Sequence, residues 1–463
     1  MQKPTYKELE RTVLAQQRKI AELELIIQRL QERIASLETK LGKNSKNSSK
    51  SPSSDQKANN LAENGPETQR PHHPGVSRQL LPPDMVTSQE SRVIDQCPRC
   101  RSHMAATGHS IKWQQVDIPP LRPLVHEIEL CTCKCTACGL ERTPELASHE
   151  TFLMGPNLEG FINLLMAQFR HSHLLVRSFI SMLIPGLKLS QGLISKVKRR
   201  GAQAFDGAAE QLLREILSAR DTKFMDATGW RHKGRNWQTL LVRTPSILRY
   251  IFRDNQNSMT IAEILPKKVN HLVTDRGLAT QKVDIVRLQY CLAHFLRNIQ
   301  GMAEDQGVHV DESQILGEIH ALLQDLFHDR HRYERTEIGI VTWRQYSYQK
   351  WAWMRQEFNR LLEMTSFPSL KRFCKRALKD WRHFMVYLAQ DGPMTNNLAE
   401  EGLRNLVIAR KLCFGSRSTY GLHWREVVHS CVETLKRQGK SMLDFFAETI
   451  RAFRMGYPCP QII

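Results

Sequence analysis

No stretch of the 463 residues approaches ~20 consecutive apolar positions, the length that crosses a bilayer, so no transmembrane helix is expected. The opening residues, MQKPTYKELERT, lack an apolar core, and no signal peptide is expected. Acids are scarce relative to bases. There are 47 Asp plus Glu against 66 Lys plus Arg, a formal charge of +19. That imbalance favours a polyanionic partner, with nucleic acid ahead of an anionic membrane. Cysteines are not evenly spread: six of the eleven fall between Cys97 and Cys138. Such crowding in a cytosolic chain suggests metal ligands rather than disulfides. The length allows two to four domains.

The N-terminal segment has a helical seam. From Ile20 through Leu23, Ile27, Leu30, Ile34 and Leu37 to Leu41, steps of three and four land on Leu or Ile each time. This predicts a coiled-coil dimerisation helix over residues 1–42, hence a homodimer or higher oligomer. Residues 43–75, rich in Ser, Asn, Lys and Pro, cannot bury enough surface to offset chain entropy and read as a flexible linker. A cysteine module follows at 90–145. Cys97 and Cys100 form one CxxC knuckle, and Cys135 and Cys138, followed by Gly139, form another. Four thiolates in two knuckles suit a structural Zn²⁺. Cys131 and Cys133 are further thiols that leave the ligand set less unique. The text between the knuckles, IKWQQVDIPPLRPLVHEIELCTCK, reads as β-strands.

Residues 156–205 read as two apolar-periodic helices, a break at PGLKLS and a third, basic helix. This resembles a helix-turn-helix, with Lys196, Lys198, Arg199 and Arg200 as DNA-binding candidates. From 220 to 290 the period changes to that of strands. KFMDATGW, NWQTLLVR and SILRYIFR precede a helix at MTIAEILPKK and further strands at HLVTDRG and DIVRLQYC. Three strands, a helix and more strands is the order of an RNase H-like α/β core. Helical text then fills 291–391, too long for a simple connection and therefore an inserted helical domain. It opens with Cys291 and His294 in a CxxH spacing, where a packed Cys and a hydrogen-bonded His compete with a metal site. Its Trp343, Trp351, Trp353 and Trp381 suit core packing better than base stacking. The core resumes at 392–420, and C-terminal helices fill 421–463.

Asp226 lies inside the first β run, and Asp275 ends the VTD strand. If those strands are neighbours, the carboxylates sit side by side and offer the hard oxygen ligands that Mg²⁺ (or Mn²⁺) prefers. A third ligand falls in TNNLAEEGLRNLVIARK, where Thr395, Asn396 or Asn397 caps a helix. Glu400, Arg404 and Lys411 then lie near one face, so one helix offers a metal ligand and phosphate-binding cations. Glu401 is about 100° further round and chemically equivalent.

The leucine seam, the NSSKSPSSD linker, the two knuckles, DATGWR, VTDRG, YCLAHFLRN and NNLAEEGLRNLVIARK occur in an order that resembles bacterial insertion-sequence-66-type transposases of the DDE group. The resemblance implies Asp226, Asp275 and Glu400 as the catalytic triad and its metal ligands. It also implies cleavage and joining of double-stranded DNA at transposon ends and target. Small accessory proteins encoded by the same element are implied partners, and a bacterial cytoplasmic, nucleoid-associated location follows. Two positions depart from the family's usual pattern: Ala227 where an acid is usual, and Glu401 where Arg is usual. Neither removes an implied ligand. A catalytically inactive, transposase-derived DNA-binding protein is the alternative.

Overall fold

The computed structural model describes residues 79–118 and 122–463, together with 16, 17, 19–24, 26, 27, 30 and 34. In the N-terminal group every described residue is helical and exposed, Ile20, Leu23, Ile27, Leu30 and Ile34 included. The rest of the expected coiled coil and the linker at 43–75 lie outside the described residues.

The chain divides into two compact units, Lys57–Glu129 with Leu183–Pro185, and the remainder. The division falls inside the 90–145 cysteine segment. In the smaller unit Gln96 and His103 form an isolated antiparallel bridge around the first knuckle, and Gln114 exchanges two hydrogen bonds with the Leu81 backbone. The strands expected between Ile111 and Lys134 form in only one place among the described residues, β1 (Cys133–Lys134), paired with β2 (Glu141–Arg142). The β-rich composition there is overridden because a strand needs a partner edge. Ile111, Trp113, Leu124 and Val125 stand almost fully exposed, and three prolines in the segment supply no N–H for a ladder.

The larger unit is a mixed α/β core with a five-stranded sheet. Directly before it come the helices α1 (Pro156–Ala167), α2 (His173–Leu183), α3 (Gln191–Ala204) and α4 (Asp206–Ser218). The strands are β3 (Lys223–His232), β4 (Arg235–Arg243), β5 (Leu248–Arg253), β6 (Val269–Thr274) and β7 (Ile285–Tyr290), with α5 (Ser258–Ile264) between β5 and β6. They lie in the order β5-β4-β3-β6-β7. β3–β4 and β4–β5 are antiparallel, and β3–β6 and β6–β7 are parallel. This order and these directions are consistent with the RNase H-like expectation.

Both faces of the sheet are covered, and the strand sequences alternate between two cores as the two-residue period requires. Met225, Leu240, Val242, Ile251 and Leu272 join a core with α1–α5, α13 (Thr419–Gln438) and α14 (Met442–Met455). Phe224, Leu241, Tyr250, Phe252 and Val273 face the other way, onto Ala399, Leu403 and Leu406 of α12 (Asn397–Cys413). The inserted helices α6 (Leu292–Ala303), α7 (Val310–Glu334), α8 (Ile340–Met364), α9 (Pro368–Lys379), α10 (Trp381–Phe384) and α11 (Val386–Gln390) build a separate apolar core. Trp343, Trp351 and Trp381 are buried in it and Trp353 packs against it, the packing role expected of them.

Candidate active site

The register of β3 and β6 ends on the pairs Phe224–Val273 and Met225–Thr274, so Asp226 and Asp275 follow the same rung. Phe224 and Val273 face α12. Two residues further on, each carboxylate falls on that same face. The strand alternation that places the core thus also turns both acids toward the helix that carries Glu400.

How α12 reaches the sheet fixes the third carboxylate. At Gly402 an added Cβ would stand 2.8 Å from Leu241 Cδ2 and 2.9 Å from Leu248 Cδ1, so only glycine permits this approach. The N-terminal end is tied by Asn396. Its side chain does not cap the helix, as the sequence suggested, but donates to Met225 O at 2.9 Å, one residue before Asp226. With Ala399 and Leu403 against the sheet, Glu400 and Glu401 diverge. Glu400 Oε1 accepts from Arg297 Nη2 at 3.1 Å and lies 3.4 Å from His294 Nδ1. Glu401 turns to Arg437 at 3.3 Å and Arg243 at 3.8 Å. The two acids, equivalent in the sequence, thus have different neighbours: Glu400 lies beside His294, which approaches Asp275, and Glu401 beside Arg243 and Arg437.

His294 lies between the last two carboxylates, with Nε2 4.0 Å from Asp275 Oδ2. Its Nδ1 is buried and makes no hydrogen bond. Cys291, His294 and Glu400 form the one group of three Cys, His, Asp or Glu donors among the described residues whose ligand atoms all fall within 4.8 Å of one another. Cys291 is nonetheless a packed thiol: burial pushes it up to about 11, and Sγ accepts the Asn396 N–H at 3.2 Å. It also joins the insertion to the core, as Cys291 N–H donates to Thr274 O and Leu292 N–H to Met394 O, each at 3.0 Å. Sequence reasoning missed Arg297. Its signal was present: Cys291, His294 and Arg297 recur every third residue on α6, while Leu292, Phe295 and Ile299 fill the insertion core.

Burial raises the Asp226 carboxyl to about 7; its own Ala227 N–H opposes this, the charges of Asp275 and Glu400 add to it, and Arg297 counters it. Asp226, Asp275 and Glu400 feel one another's charge and offer hard oxygen donors, although their oxygens are not all within 4.8 Å of one another. That donor set fits a divalent cation. Burial also holds His294 below its ordinary value, against the pull of Asp275. Arg276, after Asp275, pairs with Asp380 at 3.4 Å.

The basic candidates separate into two groups. Lys196 and Arg199 on α3, and Arg404 and Lys411 on α12, are exposed. Arg404 lines an open depression with Asn397, Leu398, Glu400 and Glu401. Lys198 instead lies 4.6 Å above the Trp424 ring, and Arg200 Nη2 is 2.6 Å from the buried Glu159. The three-helix pattern at 156–205 is present, but α3 buries Ile194, Val197 and Ala202 in the core beneath the sheet.

The two cysteine knuckles, each taken alone, have one backbone design. Cys97 N–H donates to Ser102 O and Arg101 N–H to Cys97 O; Cys135 N–H donates to Leu140 O and Gly139 N–H to Cys135 O. The fifth residue is left-handed in both, Arg101 at φ 62° and Gly139 at φ 74°. Hydrogen bonding lowers the Cys100 thiol, chiefly through Ser102, and the Cys135 thiol, chiefly through the Cys138 backbone.

The helical parts contain no helix long and apolar enough to cross a membrane among the described residues. Among families, the model of the Transposase IS66 family matches residues 163–423, from within α1 to the start of α13, with all three carboxylates inside. A family of unknown function (DUF6444) matches residues 1–73. No curated protein matches. The IS66 match covers more than half of the chain and carries with it the metal-dependent DNA cleavage and strand transfer of the DDE group: the chain belongs to the IS66 family of transposases.

Proposed function

We propose that this transposase binds the ends of its element and cuts and joins DNA on Asp226, Asp275 and Glu400. The observation that carries the reading is the shared face: strand alternation turns both aspartates toward α12, and burial first, then the charges of Asp275 and Glu400, raise Asp226. Asp226, Asp275 and Glu400 would hold a divalent metal, Mg²⁺ or Mn²⁺, which when bound activates a water or 3′-hydroxyl and stabilises the leaving oxygen. Arg297 fixes the orientation of Glu400 through its hydrogen bond to Oε1, with His294 alongside. Asn396 holds the start of α12 to the strand that carries Asp226. Arg404 and Lys411 project from the same helix and meet phosphate oxygens near the reacting bond.

The test is strand joining on end-sequence DNA with Mg²⁺. Asp226→Ala, Asp275→Ala and Glu400→Ala each lower joining by at least about 10³-fold while DNA binding persists. Glu401→Gln stays within about tenfold of the parent, because its partners are Arg243 and Arg437. A triad variant that retains a tenth of the activity overturns the assignment.

Two further readings rest on the sequence and on local geometry. The knuckle turns, with the Cys100 and Cys135 thiols lowered, suit Zn²⁺ at Cys97, Cys100, Cys135 and Cys138, and the exposed Ile20–Ile34 seam suits pairing with a second copy. Zinc content that survives Cys135→Ser would reject the first, and unchanged sedimentation after removal of residues 1–42 would reject the second.

A further inference from the structure

Helix α9 has the sequence PSLKRFCKRALK, with five cations and no acid. Leu370, Cys374 and Ala377 are buried in the insertion core, while Lys371, Arg372, Lys375, Arg376 and Lys379 are all exposed. No carboxylate pairs with any of the five among the described residues; Arg372 reaches only Ser369 Oγ, at 3.2 Å. Elsewhere in the insertion the exposed Arg360 has an acid beside it, Glu357 at 3.3 Å. The face of α9 therefore keeps its full positive charge.

The helix also points at the reacting centre. Directly after Lys379, Asp380 pairs with Arg276, the residue that follows Asp275. From Lys371 to Lys379 the face extends about 12 Å at 1.5 Å per residue. Duplex DNA carries a charge every ~1.7 Å of its axis, so several phosphates fall within reach of that length.

We propose that the exposed face of α9 is a phosphate-backbone track for duplex DNA running to Asp226, Asp275 and Glu400. It reads no bases: five long, unpaired cations in a row supply charge without a fixed donor pattern. An anionic membrane fits less well, since the apolar side of α9 is already committed to the insertion core and has nothing to place among lipid tails. The inference rests on the carboxylate reading only for where the track leads.

The test compares the full chain with Arg372→Gln/Lys375→Gln/Lys379→Gln, by anisotropy of a labelled duplex of arbitrary sequence across a salt series without added divalent metal. The salt slope of log affinity becomes shallower by about 0.9 per lost contact, up to about 2.7 for three, and affinity at low salt falls at least about tenfold. Arg372→Lys/Lys375→Arg/Lys379→Arg keeps the parent slope. If the Gln triple melts early, Lys371→Gln/Arg376→Gln on the same face must make the slope shallower in its place. Unchanged slopes in folded Gln variants overturn the track, as does binding of the face to phosphatidylserine vesicles with no change on DNA. Asp226→Ala keeps the parent slope if the track is correct. Joining retained by Asp226→Ala would sink the carboxylate reading while leaving this result intact.

Discussion

Helices α3 and α9 look alike as text, each a short helix dense in lysine and arginine, yet their cations meet different fates. On α3, Lys198 is drawn over Trp424 and Arg200 onto Glu159, and Arg199 lies 4.9 Å above the Tyr420 ring. On α9 nothing acidic comes within reach. The difference arises from what the rest of the fold brings to each helix. Glu159 and Trp424 come from α1 and α13, which close over α3; α9 lies at the outside of the insertion with only its apolar edge covered. A run of cations therefore becomes packing or surface according to its neighbours, and only the second kind is available to a polyanion.

The largest effect that would break this comparison is a stability one. Glu159 is almost wholly buried and is shared by Arg200 and Arg454. Arg200→Ala leaves a buried carboxylate with one partner, and about 2–4 kcal/mol of unfolding free energy is lost. Arg372→Ala on α9, exposed and unpaired, changes stability by less than about 0.5 kcal/mol. Denaturant melts of the two variants check the contrast. Equal losses would mean that α9 cations are structural too.

A smaller effect comes from Lys198. Burial, with Arg425 second, lowers its ammonium to about 7 from 10.5. Below 7 the group is charged in both folded and unfolded chains, and folding bears the full cost of burying the charge. Between 7 and 10.5 the unfolded chain holds more protons than the folded one, so stability rises with pH. Lys198→Met therefore raises the Tm most below about 7, and the gain fades toward 10.5. A gain constant with pH would show that Lys198 is not a buried cation.

Much of the site was legible because it depends on short-range pattern. The β runs around Asp226 and Asp275 alternate, and alternation alone turns both acids to one side. The insertion and the buried tryptophans also follow from local periodicity. What was not legible depends on distant partners. Glu400 and Glu401 turn to different neighbours, Arg297 for the first and Arg243 and Arg437 for the second, none of them near in sequence. Asn396 reads as a cap, but the β3 carbonyl at Met225 competes for its amide and wins. Residues 111–118 and 122–132 have the composition of strands and lack an edge to pair with.

The smallest effect tests the remaining exposed pair on α3. Lys196 and Arg199 are the two of its four cations that face solvent, and Arg199 already rests on Tyr420. If they touch DNA at all, they offer at most two contacts. Lys196→Gln/Arg199→Gln is expected to reduce the salt slope of duplex binding by no more than about one, against up to about 2.7 for the three substitutions on α9. The order matters more than either value. A larger drop from α3 would mean that its two free cations outweigh the unpaired row on α9, and the helix that resembles a DNA reader in sequence would be the principal DNA contact in the folded chain.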